Sequence, residues 1–253
     1  MPVLSKPTIA GASFVLEFLR PVEQMRFEQR RAEEAFGSFI KAQSRQTNIP
    51  DSADPSMPRI VFTTEKKTIS LSKNRCQLDL KFPNTELGFW KQLDAIERNI
   101  HEFYSLVTTK FALSELGLVG LVANIQFASE NSNIDLQKLI FEKFYKINGN
   151  LPIASTQVMI GFEFEKYFVN FTANVYESRR LELSQQGITP GKQIRFEDMP
   201  LLGRGLGFTV DINNRIEAAS PGFILNEDPS EIFSSLKRFL NNNFLEISGL
   251  ELQ

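Results

Sequence analysis

Phe14, Leu16 and Phe18 alternate with Ser13, Val15 and Glu17, the period of two expected when one side of a strand is buried and the other is wet. The pattern predicts a strand over 8–19, ended by Pro21. Val22, Met25, Gln29, Ala32, Phe36 and Phe39 then recur three and four residues apart, with Arg26, Arg30, Arg31, Glu33 and Glu34 between them. That spacing predicts a helix with a charged outer face. Residues 48–58 contain Pro50, Pro55, Pro58, two aspartates and two serines and no periodic apolar position; they read as a mobile loop and the best linker candidate. Strands at 59–64 and 68–82, joined by the charged turn Glu65-Lys66-Lys67, read as a hairpin. Over 85–111, Phe89, Leu93, Ile96, Ile100, Phe103 and Val107 keep a four–three alternation, the clearest helical signal in the chain.

The second stretch repeats the order. Val119, Leu121, Ala123, Ile125 and Phe127 alternate as a strand, and Leu136, Leu139, Ile140 and Phe144 mark the inner stripe of a helix over 133–145. Val158 to Phe164 and Val169 to Val175 alternate on either side of a turn near Lys166, predicting a second hairpin. A polar loop through 185–191 precedes a strand over 206–212. In the closing helix Asp228 suits the cap, Pro229 the first position and Glu231 a capping box, ahead of Ile232, Phe233, Leu236, Phe239 and Leu240. The elements read β–α–β–β–α and then β–α–β–β–β–α, without residue-level identity. Strands apolar on one side want a cover of helices, so the expected class is α+β: a curved antiparallel sheet covered by long helices. We expect one domain over 1–253, with 8–112 and 116–248 as two halves within it.

Composition narrows the function classes. At 253 residues and 42% hydrophobic, the chain can bury a substantial core. Its 23 Phe against 4 Tyr and 1 Trp favour rings packed without polar tips to satisfy. A net charge of −2 argues against a surface basic all over, as non-specific duplex binding needs, and leaves a local basic patch allowed. One cysteine, Cys76, excludes an intramolecular disulfide and suits a reducing compartment. The longest apolar run, near 116–125, is too short for a membrane span. The opening Met-Pro-Val-Leu-Ser-Lys has no basic segment followed by an apolar stretch and cleavage site. We expect a cytoplasmic protein, bacterial or viral, with no membrane association and no cofactor.

Four groups of residues carry candidate chemistry. Glu163, Glu165, Asn170, Thr172, Asn174, Thr209, Asp211 and Asn213 would share the polar side of neighbouring strands, a surface of amides and hydroxyls suited to a polar partner; a solvated sheet face has the same pattern. Arg204, within Gly203-Arg204-Gly205-Leu206-Gly207, sits in what resembles an anion-binding loop, although a strand and not a helix follows, and glycines in a bent strand explain the run as well. Asp79 and Lys81 share a strand side at the spacing of a metal-dependent nuclease motif, with Glu65 the nearest further carboxylate. Arg26, Arg30 and Arg31 form the densest basic cluster, interleaved with glutamates. His101 is the single histidine, which excludes a Cys/His zinc site, and no nucleophile elbow occurs.

An early strand, Phe62-Thr63-Thr64 before a charged hairpin, a helix containing Trp90, and Gly117-Leu118-Val119-Gly120-Leu121 together resemble a sporadically distributed bacterial protein family of unknown function and similar length. The chain has Lys6-Pro7-Thr8-Ile9 where that family opens on an Asn-Pro-Pro-Val type sequence. The resemblance implies an accessory bacterial factor from a mobile-element or defence locus, and assigns no residue. Three readings follow from the chain. It is a non-enzymatic binding or assembly protein engaging a protein partner, a second copy or a nucleic acid; or a small-ligand fold with a pocket between the sheet and the Trp90 helix; or a metal-dependent nuclease centred on Glu65, Asp79 and Lys81. The first is the leading expectation, because no tight acid–base or nucleophile set is present.

Overall fold

The computed structural model describes residues 4–83, 87–131, 134–145, 153–180, 199–220, 222–225 and 228–252. Among them nine strands form one sheet: β1 (Thr8–Phe18), β2 (Ser44–Gln46), β3 (Ile60–Thr63), β4 (Lys67–Leu71), β5 (Arg75–Lys81), β6 (Leu116–Ala128), β7 (Gln157–Phe164), β8 (Tyr167–Arg179) and β9 (Leu201–Asn213). Their order is β2-β3-β4-β5-β1-β6-β9-β8-β7, every neighbouring pair is antiparallel, and β2 and β7 are edges, so the sheet is open. The described helices are α1 (Gln29–Ile40), α2 (Phe89–Thr109), α3 (Leu136–Phe144), α4 (Arg215–Ala218), α5 (Pro229–Asn242) and α6 (Phe244–Ser248). This is the expected α+β class with an antiparallel sheet. None of these helices is long and apolar enough to cross a membrane.

Several boundaries differ from the sequence expectation. The strand expected over 68–82 is two strands, because Ser72 closes a turn: its hydroxyl accepts from the Arg75 amide and donates to the Asn74 side chain. The helix expected from Val22 starts later, at a 3₁₀ turn over Met25–Glu28, since the Val22 amide is bonded to Lys73 O at 2.7 Å. Strand β2, α4 and α6 were not expected. The expected mobile linker at 48–58 is a loop inside one sheet, joining the paired strands β2 and β3. It wraps the fully buried Arg59, whose guanidinium donates to Met57 O at 2.8 Å and Ala53 O at 3.1 Å. The polar loop expected through 185–191 lies outside the described residues.

Alternation along the strands sets the core. Phe14, Leu16 and Phe18 of β1, Leu78 and Leu80 of β5, and Phe208, Val210 and Ile212 of β9 are buried, while the residues between them are mostly half-buried. Rings join helices to strands. Phe36 of α1 lies 5.6 Å from Phe103 of α2, 6.2 Å from Phe62 of β3 and 5.3 Å from Phe111, and Phe103 meets Phe14 at 6.3 Å. A second cluster brings Phe244 of α6 against Phe127, Phe171 and Phe208, and Phe239 of α5 against Phe162 and Phe164. Phenylalanine therefore fills the space between α2 and the sheet, and Trp90 is 38% exposed. Cys76, on β5, is wholly buried, and burial pushes its thiol far up from the usual range.

One helix residue repairs an irregularity of the sheet. The register of β1 on β6 shifts between Ile9 and Gly11, a bulge at Ala10, and the pairing of β5 with β1 stops at Gly11, so Ile9 has no ladder partner on that side. Gln92, buried on α2, receives the Ile9 amide at 2.7 Å and donates to the Ile9 carbonyl at 3.2 Å. Both buried backbone groups are satisfied by one side chain.

Candidate functional site

Strands β7, β8, β9, β6, β1 and β5 are consecutive neighbours, so residues of one parity line up across them on the side away from the phenylalanine clusters. One row runs Gly161, Asn170, Asp211, Val122, Ser13 and Asp79, and the next runs Met159, Thr172, Thr209, Asn124 and Gly11. The expected polar residues Asn170, Thr172, Asn174, Thr209, Asp211 and Asn213 are thus brought together, and Glu163 stands beside them opposite Phe168. Sequence reasoning did not extend the surface onto β6 and β1. The signal was available, since Asn124, Gln126 and Ser13 hold the same out-facing parity.

Asp79 and Asp211 of this face are satisfied by neutral donors. Asp79 accepts from Ser13 Oγ at 2.5 Å and from Gln77 Nε2 at 2.8 Å; Asp211 accepts from Asn170 Nδ2 at 3.3 Å and from Asn213 Nδ2 at 3.2 Å. Their negative charge is not cancelled by those contacts. In the next rows along the strands lies a hollow of about 380 Å³ lined by Gly11, Asn124, Gln126, Asn174, Gly207 and Thr209 among others. Gly11 is required there, because a Cβ would come within 2.9 Å of the Leu80 carbonyl oxygen; a Cβ at Gly207 would come within 2.6 Å of Asn174 Oδ1 and displace that side chain. Thr209 donates to Asn124 Oδ1 at 2.9 Å. Gln126 and Asn174 make no side-chain hydrogen bond among the described residues, so their amides are open to a ligand group. Tyr176 closes one end, and burial raises its phenol above the usual range.

Other candidates are placed elsewhere. Glu165 is not on the sheet face; it sits at φ 56° in the β7–β8 turn and binds Arg238 of α5 at 2.6 and 2.7 Å, with Ser235 donating at 2.6 Å. The Arg238 contact, then Ser235, holds its carboxyl below the usual range. Arg204 lies inside β9, not in a loop, with the same parity as the buried Leu206, and donates to the Ile134 carbonyl ahead of α3. The glycine run is therefore strand, and the anion-loop geometry is absent at Arg204. Arg26 pairs with Asp51 at 2.8 Å, Arg30 with Glu34 at 3.0 Å, and Arg31 donates to Lys110 O and Ala112 O at the end of α2. The three arginines thus serve separate contacts. Lys81 faces outward opposite Gly11 beside Asp79, and Glu65 lies in the β3–β4 turn. Among the described residues no three His, Cys, Asp or Glu groups converge as a metal-holding set.

His101 meets Ser230 and Asp228 at the start of α5, a trio that resembles a nucleophilic triad in composition only. Ser230 Oγ donates to Asp228 Oδ1 at 2.6 Å, and that same oxygen accepts the Ser230 amide at 2.8 Å, so the acid caps the helix; His101 Nε2 lies 3.2 Å from the Ser230 hydroxyl. Glu231, expected to close a capping box, binds Lys166 at 2.6 Å instead. The Ser230 hydroxyl and amide, then His101, lower the Asp228 pKa from 3.8. A depressed carboxyl stabilises the fold above its unfolded value and loses that contribution as pH falls through the folded one. Asp228→Ala is accordingly expected to cost about 1 kcal/mol at neutral pH. In denaturant titrations the gap from the parent should narrow as pH drops past 3.8.

No protein-family model, no curated protein and no solved structure matches the chain. The functional reading therefore rests on the geometry.

Proposed function

We propose that the protein is a non-enzymatic binding module that presents the outward face of its sheet to a protein partner. The observation that carries this is the in-register band of Asn, Thr, Ser, Gln and Asp across β8, β9, β6, β1 and β5, with a glycine-floored hollow at its centre. A solvated face has no need of paired glycines that open a hollow beneath unbonded amides. Asp79 and Asp211 accept only neutral donors there, and a band of amides and hydroxyls around them suits peptide groups as the surface recognised.

The same reading takes the helices as a cover for the opposite side and the chain as two copies of one plan. The series β1-α1-β3-β4-β5-α2 and β6-α3-β7-β8-β9-α5 place their strands as β3-β4-β5-β1 and β7-β8-β9-β6, meeting at the antiparallel β1–β6 seam. This supports halves near 8–112 and 116–248. The extra turn at Ser72 is what makes the two orders alike.

The test is affinity capture from the source cells with the parent chain and with an Asn124→Lys, Thr172→Lys double variant. Both substituted positions face outward and are half-buried, so thermal unfolding should stay unchanged while recovery of the partner falls by about tenfold or more. Equal recovery by both chains, or a parent chain that captures nothing, would overturn the proposal.

A further inference from the structure

On the opposite side of the same strands, a cavity of about 530 Å³ opens between α3, α6, the Leu4–Pro7 segment and the sheet. Its wall is hydrocarbon: Leu4, Phe127, Leu139, Ile140, Leu206 and Phe208 line it. Three local features build it. Ser5 ties the N-terminal segment to the end of β6, donating its amide to Ala128 O and accepting the Ala128 amide on its hydroxyl. Gly249, at φ 75°, ends α6 in the left-handed conformation and turns Leu250 back along the opening. Ser248 bonds Phe244 O and the Leu250 amide, so it offers no free polar group inward.

Charge is confined to the mouth, where Lys6, Lys143 and Glu251 stand exposed. Lys6 has no ion-pair partner among the described residues, and Lys143 reaches only the Glu246 carbonyl at 3.4 Å. The two ammonium groups outweigh the one carboxylate. A cavity of this size falls within the ~300–1,000 Å³ typical of small-molecule sites. An apolar interior with cations only at the rim discriminates against ligands with buried polar groups, which would go unpaired, and favours a ligand that is apolar along its length and anionic at one end.

We propose that this cavity binds a single-chain aliphatic carboxylate, with its chain against Phe127 and Phe208 and its head at Lys6 and Lys143. The site is independent of the sheet face: it lies behind it, and its probe is a small molecule.

Calorimetric titration of the full chain with dodecanoate tests it, with dodecanol as the neutral-headed control. Saturable one-to-one binding of dodecanoate is expected, with dodecanol weaker by about tenfold or more. Lys143→Gln combined with Lys6→Gln should reduce dodecanoate affinity by about tenfold while leaving thermal unfolding in place. Leu139→Trp, which fills the half-buried wall, should abolish binding of both. Absence of saturation up to about 1 mM dodecanoate overturns the site. Equal binding of acid and alcohol, or an unchanged affinity in the double lysine variant, overturns the role given to the two lysines.

Discussion

Phe36→Ala is expected to lower the unfolding free energy by roughly 3–5 kcal/mol. Phe36 is fully buried and meets three rings at once, those of Phe62, Phe103 and Phe111. It therefore joins α1, α2 and β3, and truncation removes both the transfer term and the ring contacts. Three elements fixed on one ring cannot all close on the space it leaves. Denaturant titration supplies the measurement, with an unchanged slope showing that only stability has moved. Phe27, 80% exposed in the 3₁₀ turn ahead of α1, is the internal control, and Phe27→Ala should stay within about 0.5 kcal/mol of the parent. A loss below about 1 kcal/mol for Phe36→Ala would mean that α1 is not seated on β3 as described.

Gln92→Leu should cost roughly 2–6 kcal/mol although it keeps volume and raises apolarity. The reason is that β5 pairs with β1 only as far as Gly11: without the side-chain amide, the buried Ile9 amide and carbonyl both lose their partner. Leaving a buried backbone group unsatisfied costs about 1–3 kcal/mol each. Hydrogen exchange provides a second readout that a general loss of packing would not give. The Ile9 amide should lose protection ahead of its neighbours on β1. A Gln92→Leu variant as stable as the parent would show that the Ile9 backbone can find other partners.

The alternation of apolar residues made most of the sheet legible, and particular residues show why the rest was not. Ile69 and Leu71 are inward at odd positions, whereas Cys76, Leu78 and Leu80 are inward at even ones. That inversion of phase marks the turn at Ser72, and a single strand over 68–82 could not have buried both sets. Glu165 follows Glu163 at the right spacing for the sheet face, but the chain turns between Phe164 and Tyr167 and sends it to Arg238. Arg204 shares its parity with Leu206, a sign that it belongs to the core side. Gln92 lies on the same helical stripe as Phe89, Leu93 and Ile96, so a polar residue at a core position was visible. Its partner was not, because where a strand's pairing ends depends on strands far apart in the chain. The apolar cavity has no local signal at all, since its walls come from stretches as far apart as Leu4–Pro7, Phe127, Leu139–Phe144, Leu206–Phe208 and Ser248–Glu251.

The single thiol of the chain, Cys76, lies on the inner side of β5, sealed from solvent. A thiol modifier in water reaches it only when β5 parts from its neighbours, so alkylation times the rare openings of the folded chain. The protein thus carries its own stopwatch for breathing motions at β5, ready to compare the parent with any variant.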